Sequence, residues 1–287
     1  MIGSGNVEKR ISKPKRLLTV IKISGALVDD TQAVTDYIGS CTRCRSKRGD
    51  DRLLGRCVLV HGGGPQINRM HDQLGMTTVM KDGIRVTPKA SIPIIAMVLR
   101  GQVNASLCAA LSRAGILAIG LSGADLGLYK SELISRSDYG LVGGPPQVDI
   151  DKLGQLLTLD WVPVCCSLAV DAGSGELLNV NADMLADAIA RSAVISPDVG
   201  DVQLDLVSGV PGVLNADGDV VPEINQENMQ SLVDTGVITG GMIPKVQSAL
   251  ASIDAGVSRV RIGNFESLMS STATTVRSIG SDTRDTR

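Results

Sequence analysis

The most constraining feature of this chain is a repeated junction: a short β-branched apolar run ends on glycine, and a helix-forming segment follows. Residues 17–23 (LLTVIKI) lead into Ser24-Gly25, and residues 57–61 (CVLVH) lead into Gly62-Gly63-Gly64-Pro65. Such runs have the length and branching of strands buried on both faces. Pro65 in a first turn and Gly75 after Leu74 bracket a helix over 65–74. Thr87-Pro88 opens a longer helix that Gly115 ends, with Pro93 and Gly101 as internal weak points. Residues 116–121 (ILAIGL), 162–167 (VPVCCS), 202–208 and 259–263 read as further strands. Helices over 184–193, with Asp183 as its cap, and over 243–255 lie among them. Buried strands alternating with helices specify an α/β fold, a three-layer sandwich with a central, mainly parallel open sheet.

A chain of 287 residues accommodates one large domain or two lobes on a continuous sheet. A formal net charge of −2 gives no electrostatic bias toward nucleic acid, and 2% aromatic residues leave little for base stacking. Cys41, Cys44, Cys57, Cys108, Cys165 and Cys166 sit mostly in apolar runs, as small hydrophobes do. Cys41 and Cys44 have CxxC spacing, but the second pair of a structural zinc site is missing. The start lacks a secretory h-region and the run LLTVIKI that follows it is far too short to span a bilayer, so the expectation is a cytoplasmic protein with free thiols and no membrane partner. Residues 132–149 read as antiparallel hairpins forming a lid, 40–55 as a surface loop, and 1–16 and 271–287 as flexible tails.

The glycine clusters carry the chemistry. A triple glycine between strand and helix lets an anion approach backbone N–H groups, although a tight turn alone also explains it. No GxxxxGK[ST] follows a strand, and no GxGxxG follows the first, so any nucleotide site belongs to another fold class. Lys22 ends a buried strand and needs an anionic partner, a ligand or a route to solvent. Lys245 stands at a helix start after Gly240-Gly241, where the dipole opposes a cation unless an anion binds there too. Asn179, Asn181 and Asp183 alternate along one short segment and share a side if it is extended. Asp183 suits both capping and pairing with lysines. Arg85 before Val86-Thr87 suits a carboxylate or a surface ion pair. His61 and His71 lack a nucleophile nearby in sequence and read as structural.

In order and spacing, the blocks KISGALVDD, LVHGGGPQI, DGIRVT, LSGADLG, LNVNADMLADAIA, SGVPGVL and GGMIPKV resemble the amino-acid kinase family. Within it they resemble the branch acting on N-acetyl-L-glutamate. The resemblance covers residues 21 to about 263. It implies the amino-acid kinase fold, with a substrate lobe over 17–195 and a nucleotide lobe over 196–270. It implies ATP-dependent phosphorylation of the γ-carboxylate of N-acetyl-L-glutamate in arginine biosynthesis. Lys22 and Lys245 would neutralise the transferring phosphoryl group, Asp183 would position them, and Gly25, Gly63 and Gly64 would donate N–H bonds. Arg85, Asn179 and Asn181 would hold the amino acid. Ser208, Gly209, Val210, Gly212, Leu214, Thr239 and Gly241 would border the nucleotide. Mg²⁺ would arrive on the ATP phosphates, with no dedicated protein metal site. A homodimer and a nitrogen-signalling regulator are the implied partners.

Gly209 replaces a common Asp, and Gly143-Gly144-Pro145-Pro146 replaces the usual flap. Two alternatives stand beside this reading. One is a kinase of carrier-protein-bound aminoadipate or glutamate, which needs a basic surface at the substrate mouth. The other is a catalytically weak ligand sensor, which would have lost Lys22, Lys245 or Asp183.

Overall fold

The computed structural model describes residues 16–42, 55–197, 199–240 and 242–278. Gly241, Cys44 with its CxxC spacing, most of the 40–55 loop and nearly all of both expected tails lie outside the described residues.

The chain lays down β1 (Arg16–Ile23), β2 (Arg56–His61), the hairpin β3 (Met80–Lys81) and β4 (Ile84–Arg85), β5 (Ala118–Leu121), β6 (Tyr129–Ser131) and β7 (Gln147–Val148). It continues with β8 (Val162–Cys166), β9 (Leu168–Asp171), β10 (Leu177–Asn179), β11 (Val199–Val207), β12 (Glu223–Ile224), β13 (Arg259–Gly263) and β14 (Thr274–Val276). Eight of these form one sheet in the order β12-β14-β13-β11-β1-β2-β8-β5. Every neighbouring pair is parallel except β13 with β14.

The central strand shows why three layers form. Leu18 and Val20 enter one apolar cluster with Leu185, Ile189, Val246 and Leu250, which belong to the helices Ala182–Val194 and Met242–Asp254. Ile21 and Ile23 enter the other, with Val34, Ile38, Leu99 and Leu107, from the helices Thr31–Thr42 and Lys89–Arg113. Alternation along the strand therefore fills both faces. Full burial of a Leu or Ile side chain contributes roughly 1.5–3 kcal/mol. The 25-residue helix Lys89–Arg113 is apolar and long enough by composition to cross a bilayer, but its Leu99, Val103, Leu107 and Leu111 stripe is spent on this core. Pro93 falls near its start, and Met97–Asn104 around Gly101 is π-helical.

Three expectations change. The flexible tail expected from residue 271 is ordered through Val276: β14 pairs antiparallel with β13 and parallel with β12, burying Thr274 and Val276. Its Ser- and Thr-rich composition hides a short alternating strand. Residues 132–149 fold back antiparallel on themselves as expected, but only around the single bridge Leu133↔Gly143, where Ile134 N–H donates to Val142 O at 3.0 Å and Gly144 N–H to Glu132 O at 2.9 Å. Their other pairings reach outside the segment, at the bridges Val142↔Asn179 and Thr87↔Gly140 and where β7 pairs antiparallel with β6. The glycines and prolines there leave runs too short to pair regularly. The resulting small sheet runs β10-β9-β6-β7. Finally, Asn181 rather than Asp183 caps the helix Ala182–Val194, accepting the N–H bonds of Asp183 and Met184. This leaves the Asp183 carboxylate free for another partner.

Candidate active site

Because β1, β2, β8, β5, β11 and β13 run parallel, their carboxyl ends open on one edge of the sheet. The turns at Gly25, Gly62–Gly64 and Ser208 all emerge there. The β1 and β11 turns are tied directly, with Ser24 N–H donating to Val207 O at 3.2 Å. In open α/β sheets ligands bind at this edge. A cavity of about 390 Å³ opens there, and Lys22, Gly25, Gly63, Gly64, Arg85, Asn179, Asn181 and Asp183 all line it. Ile134, Val142 and Gly143, from the antiparallel turn-back around the Leu133↔Gly143 bridge, line one side. A larger cavity of about 600 Å³ lies between the helices Thr31–Thr42 and Ala105–Arg113, near Ile116 at the amino end of β5. It has no share in the glycine turns.

The charges converge at the first turn of the helix Ala182–Val194. Lys22 Nζ lies 2.8 Å from Asp183 Oδ1, a charge contact outside hydrogen-bond alignment. The Lys22 side chain is only 11% exposed, so its charge needs this partner. Burial lowers the pKa of the Lys245 ammonium; Asp183 opposes that shift and Lys22 adds to it. The three groups thus form one electrostatic unit, with two cations sharing one carboxylate. Such a unit accepts an anion readily.

On the opposite wall Arg85 is held in a fixed fork. Its Nη2 donates to Asn68 Oδ1 at 2.6 Å and Gly64 O at 3.2 Å, and its Nη1 to Thr78 Oγ1 at 3.3 Å. Burial lowers the pKa of its guanidinium from the ordinary value, which still leaves it charged at neutral pH. Asn179 Nδ2 donates to Thr87 Oγ1 at 3.1 Å, and that hydroxyl donates to Arg85 O at 2.9 Å. Arg85 and Asn179 are therefore braced through one buried threonine. Gly143 N–H donates to Asn179 O at 3.0 Å, so the covering segment is stitched to the same wall.

Among the described residues, those assigned to the nucleotide do not line this cavity. Ser208, Gly209, Val210, Gly212 and Leu214 form the loop after β11, and Ser208 N–H donates to Gly263 O at 2.8 Å. Gly212 has no space for a side chain: a Cβ there would lie 2.5 Å from Val220 Cγ1 and 2.7 Å from Thr274 Oγ1. Gly209 faces open space, so nothing steric requires a glycine there. Thr239 O accepts the N–H of Met242 just before the helix of Lys245.

Sequence reasoning missed Gln66 and Thr87. Gln66 is buried and its Nε2 donates to Gly25 O at 2.9 Å, tying the β2 turn to the β1 turn. Its signal was its place in the block LVHGGGPQI, directly after the glycines.

Residues 18–264 match the amino acid kinase family. An acetylglutamate kinase of Chloroflexus aurantiacus is 42% identical over 253 residues, 88% of this chain and 93% of its own length. One from Geobacillus kaustophilus is 37% identical over 243 residues, covering 85% and 88% of the two chains. Among solved structures, smu.665 from Streptococcus mutans superposes with a TM-score of 0.71 at 28% identity, covering 91% of this chain and 98% of that one.

Proposed function

The chain belongs to the amino acid kinase family, and on that premise we propose that it transfers the γ-phosphoryl group of ATP to the γ-carboxylate of N-acetyl-L-glutamate. The product is N-acetyl-L-glutamyl 5-phosphate, an intermediate of arginine biosynthesis. The observation that carries this reading is the Lys22–Asp183 pair lining one cavity with the glycine turns and Arg85, with Lys245 near enough to feel both charges.

In-line phosphoryl transfer asks the protein for alignment and charge neutralisation more than covalent chemistry. The attacking carboxylate, with an ordinary pKa near 4.3, is ionised at neutral pH and needs no general base. Its oxygen bonds to phosphorus as the bond to the β,γ-bridging oxygen breaks, and ADP leaves with that electron pair. Lys22 and Lys245 would offset the charge spread over the phosphoryl oxygens, with Asp183 keeping the two ammonium groups together. Backbone N–H groups at Gly25, Gly63 and Gly64 would orient the same oxygens. Arg85 would grip the α-carboxylate and Asn179 and Asn181 the amide region. The loop 208–214, with Thr239 and Gly241, would border the nucleotide, giving a substrate lobe over 17–195 and a nucleotide lobe over 196–270.

Among the described residues no group of three His, Cys, Asp or Glu side chains converges as a metal cage. A site of lysines and backbone N–H groups fits an ion carried by phosphates, which Mg²⁺ favours over all-protein cages. When bound it would supply further charge neutralisation on the phosphates.

Two observations weigh against the alternatives. The basic side chains near the mouth are paired: Arg69 with Asp29, Lys81 with Asp138, and Arg136 and Lys89 with Glu176. These pairings, among the described residues, offset part of the positive charge that an acidic carrier protein would need. Lys22, Lys245 and Asp183 are all retained, which a sensor has no need of. The test is an ADP-release or hydroxamate assay across N-acetylglutamate, glutamate, aspartate and aminoadipate. Turnover with N-acetylglutamate is expected, and turnover confined to another acceptor rejects the reading.

A further inference from the structure

We propose that His61 and Asn104 form a positioning pair that holds the Gly62–Gly63 peptide with its N–H directed at the reacting groups. The inference rests on the kinase reading above. His61 is the last residue of β2, fully buried and absent from the cavity lining. Its Nδ1 lies 2.9 Å from Gly62 O, and its Nε2 lies 3.0 Å from Asn104 Nδ2.

The proton positions follow from the partners. Asn104 Nδ2 is also 2.8 Å from Val164 O, which can only accept. The Asn104 Oδ1 takes Arg100 Nη1 at 3.3 Å and Cys108 Sγ at 3.8 Å. The amide orientation is thereby set, and its second N–H donates to His61 Nε2. The neutral ring must then carry its proton on Nδ1 and donate it to Gly62 O. Burial keeps the ring neutral, lowering its pKa to about 4.

The consequence lies one bond away. In a planar trans peptide the C=O and N–H point in opposite directions. Anchoring Gly62 O behind the turn directs Gly63 N–H forward. The two neighbouring donors are fixed by main chain alone: Ser24 O, opposite Gly25 N–H, accepts from Leu27 N, and Gly63 O, opposite Gly64 N–H, accepts from Ile67 N, each at 2.8 Å. At Gly62 a side chain supplies the anchor.

The surroundings are built to hold that side chain. Asn104 closes the π-helical segment Met97–Asn104, and a Cβ on Gly120 of β5 would overlap its Oδ1. A Cβ on Gly63 would lie 2.7 Å from Leu99 Cδ2 of the same segment, so turn and helix are in close contact.

The test compares two substitutions by steady-state kinetics. An asparagine places its N–H near the position of Nδ1, and a glutamine near that of Nε2. His61→Asn should keep kcat within about threefold of wild type, whereas His61→Gln should lower kcat about tenfold to a hundredfold with both KM values little changed. Equal losses in the two variants, or no loss in either, overturn the proposal. The chain has two histidines, so ¹⁵N NMR of the unaltered protein resolves the tautomer even if neither variant folds. A neutral His61 protonated on Nδ1 is expected, and protonation on Nε2 overturns the proposal. If the wild type turns over none of the acceptors, the functional reading fails instead, and the tautomer result still decides the anchor geometry.

Discussion

The substitution Asp183→Asn keeps the size of the side chain and removes its charge, which isolates the carboxylate's work between the two lysines. Two unit charges 2.8 Å apart attract by about 6 kcal/mol at an effective dielectric of about 20, and by about 1.5 kcal/mol in bulk water. Asp183 is 44% exposed on its side chain while Lys22 is 11% exposed. Solvent therefore screens one partner, and the lower figure is the safer floor. A loss of about 1.5 kcal/mol in transition-state charge organisation is roughly tenfold in kcat. The variant should also change its pH profile. Burial and Lys22 both lower the pKa of the Lys245 ammonium, and Asp183 is the group that opposes them. Without the carboxylate that pKa falls further. The charged form is the active one, so activity is lost as pH rises through the Lys245 pKa, and the variant should lose it at lower pH than wild type. Steady-state ADP release measured from neutral to alkaline pH gives both readouts. A kcat within about threefold of wild type, together with an unmoved alkaline limb, would refute the electrostatic unit.

Two further outcomes follow from the same geometry. Arg85→Ala should raise the KM for the amino acid at least about tenfold and leave that for ATP nearly unchanged, because it removes a braced fork worth one charged contact; a change confined to the ATP KM would contradict the carboxylate clamp. Lys245 has a folded-state pKa below its unfolded value, so the free protein carries a penalty at neutral pH that is relieved as pH rises toward the unfolded pKa. A nucleotide anion relieves it too. Saturating non-hydrolysable ATP analogue should raise Tm by about 5 °C or more in the wild type and by clearly less in Lys245→Met; equal shifts would place the phosphates elsewhere.

The sequence made the sheet legible because its strands are buried on both faces. The residues 17–23 and 57–61 could be read from local composition alone, and they form β1 and β2 with nearly those limits. The approach of Lys22 to Asp183 was less visible, since the two residues stand far apart in sequence. It became arguable only through the mismatch of a lysine ending a buried strand. What failed was local competition. Asp183 and Asn181 are both good helix caps by type. The choice falls to Asn181 in a structure where Asp183 faces a nearly buried cation. Composition likewise hid β14, because a strand of three residues needs partners, supplied here by β13 and β12, to be a strand at all.

Asn104 shows where a sequence signal existed and went unread. It lies on the helix whose Leu99, Val103, Leu107 and Leu111 make a buried stripe, and it is itself fully buried. A polar residue on an apolar stripe has to find a partner, since an unpaired buried amide costs about 1–3 kcal/mol. The chain offers a matching anomaly at His61, an imidazole ending an apolar strand. Each alone is an ordinary buried polar residue. Each is also the other's solution, and the satisfied pair ends on the carbonyl of a glycine turn at the cavity edge. The same accounting of buried polar groups that explains stability therefore leads to a position one peptide from the proposed chemistry, which composition, charge and motif could not reach.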